Sequence, residues 1–166
     1  MTNRKRSFPA IADARTRLLV LGSLPGERSL AERRYYAHPQ NQFWPLMSAV
    51  VERDLVALPY PDRLAALLET RVGLWDVIAT ARRTGSGDAE IRDHAPNDLA
   101  MLAAELPALR AVAFNGGKAH AIGVRQLGDA APGVARIALP SSSPLHTVGL
   151  AAKLPAWLAM RSFLID

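Results

Sequence analysis

Four short, largely apolar runs, three of them followed at once by turn-forming residues, limit what this chain can fold into. They are RLLVLG (17–22), GLWDVIA (73–79), RAVAFN (110–115) and ARIAL (135–139). Each has the length of a strand, and little apolar/polar alternation, as expected of strands covered on both faces. The first, third and fourth run into Gly-Ser, Gly-Gly and Pro-Ser, which end regular structure.

Helical patterns fill the intervals. Residues 42–53 carry apolar positions at helical spacing behind Asn41, with Pro45 in the first turn where proline is tolerated. Further helices are expected over 61–71, over 97–106 behind Asn97 or Asp98, over 118–127, and over 148–165 with a kink or restart at Pro155. Residues 82–96 read as a polar surface loop. Strands alternating with helices imply a parallel sheet with helices on both faces. The expected class is therefore α/β, a three-layer α/β/α sandwich around a four-stranded parallel sheet. At 166 residues one domain is expected over the whole chain, with residues 1–15 a loosely ordered basic segment.

In such sheets ligands bind beyond the carboxyl ends of the strands. Those ends carry Gly22-Ser23-Leu24-Pro25-Gly26, Asp76, Asn115-Gly116-Gly117 and Ser141-Ser142-Ser143-Pro144. Near them, YYAHPQNQFW (35–44) crowds aromatic and hydrogen-bonding side chains into ten positions, in a chain only 6% aromatic.

Composition removes several chemistries. There is no cysteine, so disulfides, thiolate zinc and iron–sulfur sites are excluded. The four histidines show neither HxH nor HxxxH spacing, and no metal or cofactor is expected. GSLPGERS lacks the endings of a phosphate loop and of a dinucleotide fingerprint. No apolar run approaches the ~18 residues that span a bilayer. The net charge of +5 fits a polyanionic partner. A cytoplasmic, nucleoid-associated monomer is the expectation.

The segments GSLPGERSLAERRYYAHPQNQFWPLM, GLWDVI, AFNGGKA and LPSSSPLH, in that order, resemble the uracil-DNA glycosylase superfamily. Within it they are most similar to the hypoxanthine (deoxyinosine) DNA glycosylases. The resemblance runs from about Arg17 to Thr147. The mismatch-specific uracil/thymine branch shares the HPxNxFW element but has an asparagine in its first turn, where this chain has Leu24. The uracil branch opens its second motif with a catalytic histidine, where this chain has Ser141.

The resemblance implies a monofunctional glycosylase acting on double-stranded DNA with a damaged base. Such an enzyme draws the base out of the helix and hydrolyses its bond to the sugar. Asn41 would hold the attacking water, besides capping its helix, and Asn115 would contact the base. Tyr36 and Phe43 would stack it, with Trp44 in the core. The carboxylate of Asp76 would accept from the N1–H of hypoxanthine, unless Asp76 only caps the turn after it. The backbone at Gly22 and Ser23 would approach the base closely. Ser141, Ser142, Ser143, Pro144, Leu145 and His146 would meet the DNA, with Leu145 able to wedge into the emptied stack. Arg82, Arg83 and Lys118 would pair with phosphates. Three other readings fit the same residues: a uracil or thymine mismatch glycosylase, a binding protein without turnover, and a small-molecule hydrolase.

Overall fold

The computed structural model describes residues 4–166. Its centre is a sheet of four parallel strands in the order β3-β2-β6-β7. These are β2 (Leu18–Gly22), β3 (Val72–Asp76), β6 (Ala111–Asn115) and β7 (Ala135–Leu139). All five residues of β2 are buried, because helices cover both sheet faces. Leu18 and Val20 belong to one core with Phe43, Trp44, Leu67 and Trp157. Leu19 and Leu21 belong to the other with Leu102, Phe114, Ile122 and Leu127. Period-two alternation in one strand thus serves two helical layers.

The first layer holds α2 (Phe43–Val51), α3 (Tyr60–Glu69) and α6 (Leu150–Leu158); the second holds α4 (Leu99–Ala104) and α5 (Gly117–Leu127). Asp98, not Asn97, caps α4 by accepting from the Met101 amide at 3.0 Å. α6 runs through Pro155, which lies on its exposed side, and tightens to a 3-10 turn only at Ala159. A short helix, α1 (Glu27–Glu32), follows the first turn where none was expected.

Two expectations fail. The run 73–79 is not one strand. It leaves the parallel sheet after Asp76 and continues as β4 (Ile78–Arg82), between β1 (Arg4–Arg6) and β5 (Arg92–Pro96) in an antiparallel sheet. The segment read as a surface loop therefore contains a strand. Nor is the described part of the amino-terminal segment loose. β1 pairs with β4, Ile11 exchanges backbone hydrogen bonds with Leu74, and the Tyr35 hydroxyl donates to the Pro9 carbonyl at 2.9 Å. Paired backbone and buried aromatic contacts hold what its charge suggested was solvated. Residues 1–3 of that expectation lie outside the described residues.

Candidate active site

The carboxyl ends of β2, β3 and β6, the α1–α2 connection and the loop after β7 enclose a cavity of about 410 Å³. Gly22, Ser23, Tyr36, Asn41, Asp76, Asn115 and residues 141–146 all line it, as the sequence led us to expect. Phe43 does not.

Phe43 is fully buried. Its ring stacks on the far side of Tyr36, with centroids 3.9 Å apart and planes 21° from parallel. The expectation that Phe43 touches a base is therefore corrected. It is the first residue of α2 and turns into the core, so it supports the aromatic wall instead of presenting it. Trp44 is core, as expected, and its indole N–H donates to the Tyr36 carbonyl at 3.2 Å.

Tyr36 itself sits at φ +55°, in the left-handed region. A bulky residue held there costs on the order of 1–3 kcal/mol, which surrounding contacts must offset. Three do so here: the Phe43 stack, the Trp44 hydrogen bond, and the Asn115 amide, which donates to the Tyr36 hydroxyl at 3.3 Å.

Asn115 is less free than its motif suggested. Its Nδ2 also donates to Ser142 Oγ at 2.9 Å, and its Oδ1 accepts from the Ser142 amide at 2.9 Å. With both ends of the amide engaged, Asn115 ties β6 to the serine-rich loop and to Tyr36. It is a positioning residue in this structure rather than a free hydrogen-bonding edge for a base. Gly116 follows at φ +101°, a conformation side chains rarely adopt, and lets the chain turn into α5 beside Ser141.

Asn41 lines the same cavity, half-buried. Its Oδ1 accepts from the Phe43 amide at 2.9 Å, a side-chain turn just before α2 rather than the expected cap, since the N-cap position of α2 is Gln42. A carbonyl oxygen has two lone pairs, so one remains to accept an O–H from water. The next residue, Gln42, donates its backbone N–H to the Ser142 carbonyl at 2.9 Å. The Asn41 segment and the serine-rich loop thus hold a fixed relation.

Asp76 ends β3 beside Gly22 of β2. A Cβ at Gly22 would stand 2.6 Å from Asp76 Oδ1 and 3.0 Å from the Tyr36 hydroxyl. Only glycine lets both polar groups reach this corner. The Asp76 carbonyl accepts from Asn97 Nδ2 at 2.7 Å, which fixes the end of the strand. The side chain is 4% exposed, and its Oδ2 has no hydrogen-bond partner among the described residues. Burial first, and the charge of Asp88 second, raise its pKa from 3.8 to about 7 against the opposing pull of Arg83. Asp88 is itself held by Ser23, whose Oγ donates to Asp88 Oδ1 at 2.6 Å.

Three residues with structural work at this site escaped the sequence reading or were misassigned in it. Arg83, expected at a phosphate, is 2% exposed and donates to the carbonyls of Leu24, Pro25 and Gly85 at 3.3, 2.5 and 2.7 Å. It clamps the first turn to the loop after β4. Lys5 adds a second clamp, donating to Gly85 O at 2.9 Å and pairing with Glu27. Lys153 is fully buried on α6 and donates to the His146 carbonyl at 3.1 Å, holding the serine-rich loop from beneath; burial pushes its pKa down. Polar residues in a loop and a lone lysine in an apolar helix give no local sign of such roles.

At the mouth, Leu145 is 65% exposed. Its Cδ1 lies 3.6 Å from where a Cβ on Gly87 would stand, so the two loops approach each other there. Arg82 is exposed and lies 3.7 Å from Asp93. The site as a whole offers one aromatic face, a water-accepting amide oxygen and a buried carboxyl group. It can hold a flat heterocycle and hydrolyse a bond beside it.

Comparison with known proteins agrees in family and fold. A family model described as the uracil DNA glycosylase superfamily matches residues 8–160. A hypoxanthine DNA glycosylase of Methanosarcina barkeri is 41% identical over 115 residues, 69% of this chain and 73% of that one. The protein of the same name from Methanosarcina acetivorans is 42% identical over the same shares. A solution NMR structure from Methanosarcina acetivorans, described as a candidate uracil DNA glycosylase, superposes with a TM-score of 0.84 at 36% identity. It covers 97% of this chain and 98% of that one.

Proposed function

The chain belongs to the uracil DNA glycosylase superfamily, and on that premise we propose that it removes deaminated bases from DNA, hypoxanthine foremost, by base flipping and hydrolysis. One observation carries the reading: Tyr36, Asn41 and Asp76 converge on a single cavity at the carboxyl edge of the parallel sheet.

The extruded base lies against Tyr36, whose ring Phe43 backs. One such stack contributes about 1–3 kcal/mol. Asp76 faces the base edge, and the cramped corner at Gly22 sets how deep the base can sit. Asn41 Oδ1 accepts an O–H from a water and aims its oxygen at C1′ of the deoxyribose. The water oxygen bonds C1′, the C1′–N9 bond breaks, its electron pair leaves with the purine, and the purine takes up a proton to balance the one the water gives up. Positive charge builds on the sugar and negative charge on the base, so preset donors and acceptors matter more than a strong base. This suits a cavity in which an amide, not a carboxylate, faces the water.

Residues 141–146 and Leu145 at the rim lie where the duplex would be gripped, Leu145 filling the gap that the base leaves. Lys153 and Asn115 keep that loop in place from below. The Leu24 position supports hypoxanthine over a mismatch specificity, since a buried leucine cannot hold water there.

The test is a panel of end-labelled duplexes carrying hypoxanthine, xanthine, uracil or a thymine mismatch, treated with alkali after the enzyme. Fastest cleavage at hypoxanthine supports the reading. Fastest cleavage at uracil or mismatched thymine transfers it to the other branch. No cleavage, with salt-sensitive binding, makes the chain a binding protein instead.

A further inference from the structure

We propose that Asp76 reads the extruded base as a neutral carboxylic acid, donating one hydrogen bond and accepting another, rather than as a carboxylate. The inference rests on the proposed base excision and concerns the state in which the residue acts.

A deaminated base presents a lactam edge: a ring N–H beside a C=O. Hypoxanthine has N1–H and O6, xanthine the same pair, and uracil N3–H and O4. A carboxylate offers only acceptors. It could take the N–H, but its second oxygen would face the base's carbonyl oxygen, two lone pairs against each other. A carboxylic acid offers one O–H and one C=O on a single planar group. It closes a two-bond ring with the lactam, O–H to the carbonyl and N–H to the C=O.

The surroundings of Asp76 favour the neutral form. Its carboxyl is buried, and Oδ2 has no donor among the described residues. An isolated buried carboxylate is costly, and such a group neutralises instead. The charged and titratable groups that act on it are few. Asp88, from the 3-10 turn Asp88–Glu90, is a second acid, oriented by Ser23. Arg83, beyond β4, is the only cation acting on it among the described residues, and its three hydrogen bonds go to backbone carbonyls. Tyr35 and Tyr36, from the α1–α2 connection, have their ionisation pushed up by burial and by Asp76, so they stay neutral. Two acids, two neutral phenols and one engaged guanidinium leave the proton as the means of removing the charge. His38 and His146 line the cavity too, so comparison with a variant of Asp76 itself is what ties any pH dependence to Asp76.

An asparagine at this position carries the same donor and acceptor with no proton to lose, which makes it the discriminating substitution. Excision of hypoxanthine from a duplex would be followed under enzyme excess between pH 6 and pH 8.5, for the natural chain, Asp76→Asn and Asp76→Ala. The expected result is a fall of roughly tenfold or more across that range for the natural chain. The fall should be absent in Asp76→Asn, and Asp76→Ala should be slow at every pH. A rate for the natural chain that is flat or rises with pH overturns the proposal. So does an inactive but folded Asp76→Asn, or an Asp76→Asn that keeps the fall. If Asp76→Asn does not fold, infrared spectra of the natural chain decide: a protonated-carboxyl band present at pH 6 and lost by pH 8.5 is required, and its absence at pH 6 overturns the proposal. No excision of any base at any pH would instead defeat the glycosylase reading itself.

Discussion

Tyr36 lies flat on Phe43, ring centroids 3.9 Å apart, so that one ring lines the cavity and the other is wholly buried behind it. The two aromatics therefore separate a binding task from a folding task. Tyr36→Ala should weaken binding to a hypoxanthine-containing duplex by about 1–3 kcal/mol, roughly 5- to 150-fold, with a small change in melting temperature. Phe43→Ala should instead destabilise the fold by about 3–5 kcal/mol. Fluorescence anisotropy and denaturant titration of both variants measure the split.

Asn41 joins a structural and a chemical task in one amide. Asn41→Ala removes the hydrogen bond to the Phe43 amide and should cost about 0.5–1.5 kcal/mol of stability. If Oδ1 also aims the water, the single-turnover rate should fall about 100-fold or more while duplex affinity changes less than threefold. Rate and affinity measured on the same preparation, below its melting range, separate these effects. Loss of rate only in proportion to unfolded protein would leave Asn41 with the structural task alone.

The corner at Gly22 admits no side chain without moving Asp76 or Tyr36. Gly22→Ala should keep secondary structure, read by circular dichroism, and lose excision on the order of 100-fold. Displacement of a positioned group by about 1 Å is enough for that.

Burial of Asp76 also predicts how stability varies with pH. Its pKa rises from 3.8 to about 7 on folding, so across that window the folded chain holds a proton that the unfolded chain releases. This site's contribution is greatest at pH below about 4, declines as pH rises, and levels off above about 7. Asp76→Asn should remove that decline. Urea midpoints for the two proteins at pH 5 and pH 8 test it, with the natural chain expected to lose more over the interval.

The sequence exposed the parallel sheet because strands covered on both faces are continuously apolar: β2 and β6 are buried at all five positions, and β7, at the edge with Arg136 and Ala138 exposed, still lies within its expected run. The second run hid a change of partner. Val77 and Ile78 are as buried as the strand before them and still donate their amides to the Gly22 and Ser23 carbonyls, yet the paired register ends at Asp76 and the chain passes into the antiparallel sheet. Periodicity reports burial, not which strand is paired.

At the site, residues at strand ends were legible because topology brings those ends together. What stayed hidden depended on packing in three dimensions. Spacing could not tell which ring of the Tyr36–Phe43 pair faces the cavity. Arg83 looked like any loop arginine, because three carbonyl acceptors from two separate loops leave no local trace. Asn115 looked like a free amide, because Ser142 is 27 residues away.

The central claim is that this cavity detaches a whole base by hydrolysis at the sugar. The most direct measurement is mass spectrometry of small molecules released from a hypoxanthine-containing duplex, counted against abasic sites formed in the same strand. Free hypoxanthine and abasic sites are expected in equal amounts, with the strand intact until alkali is added. A strand cut without free base, or no hypoxanthine released with enzyme in excess, would contradict it.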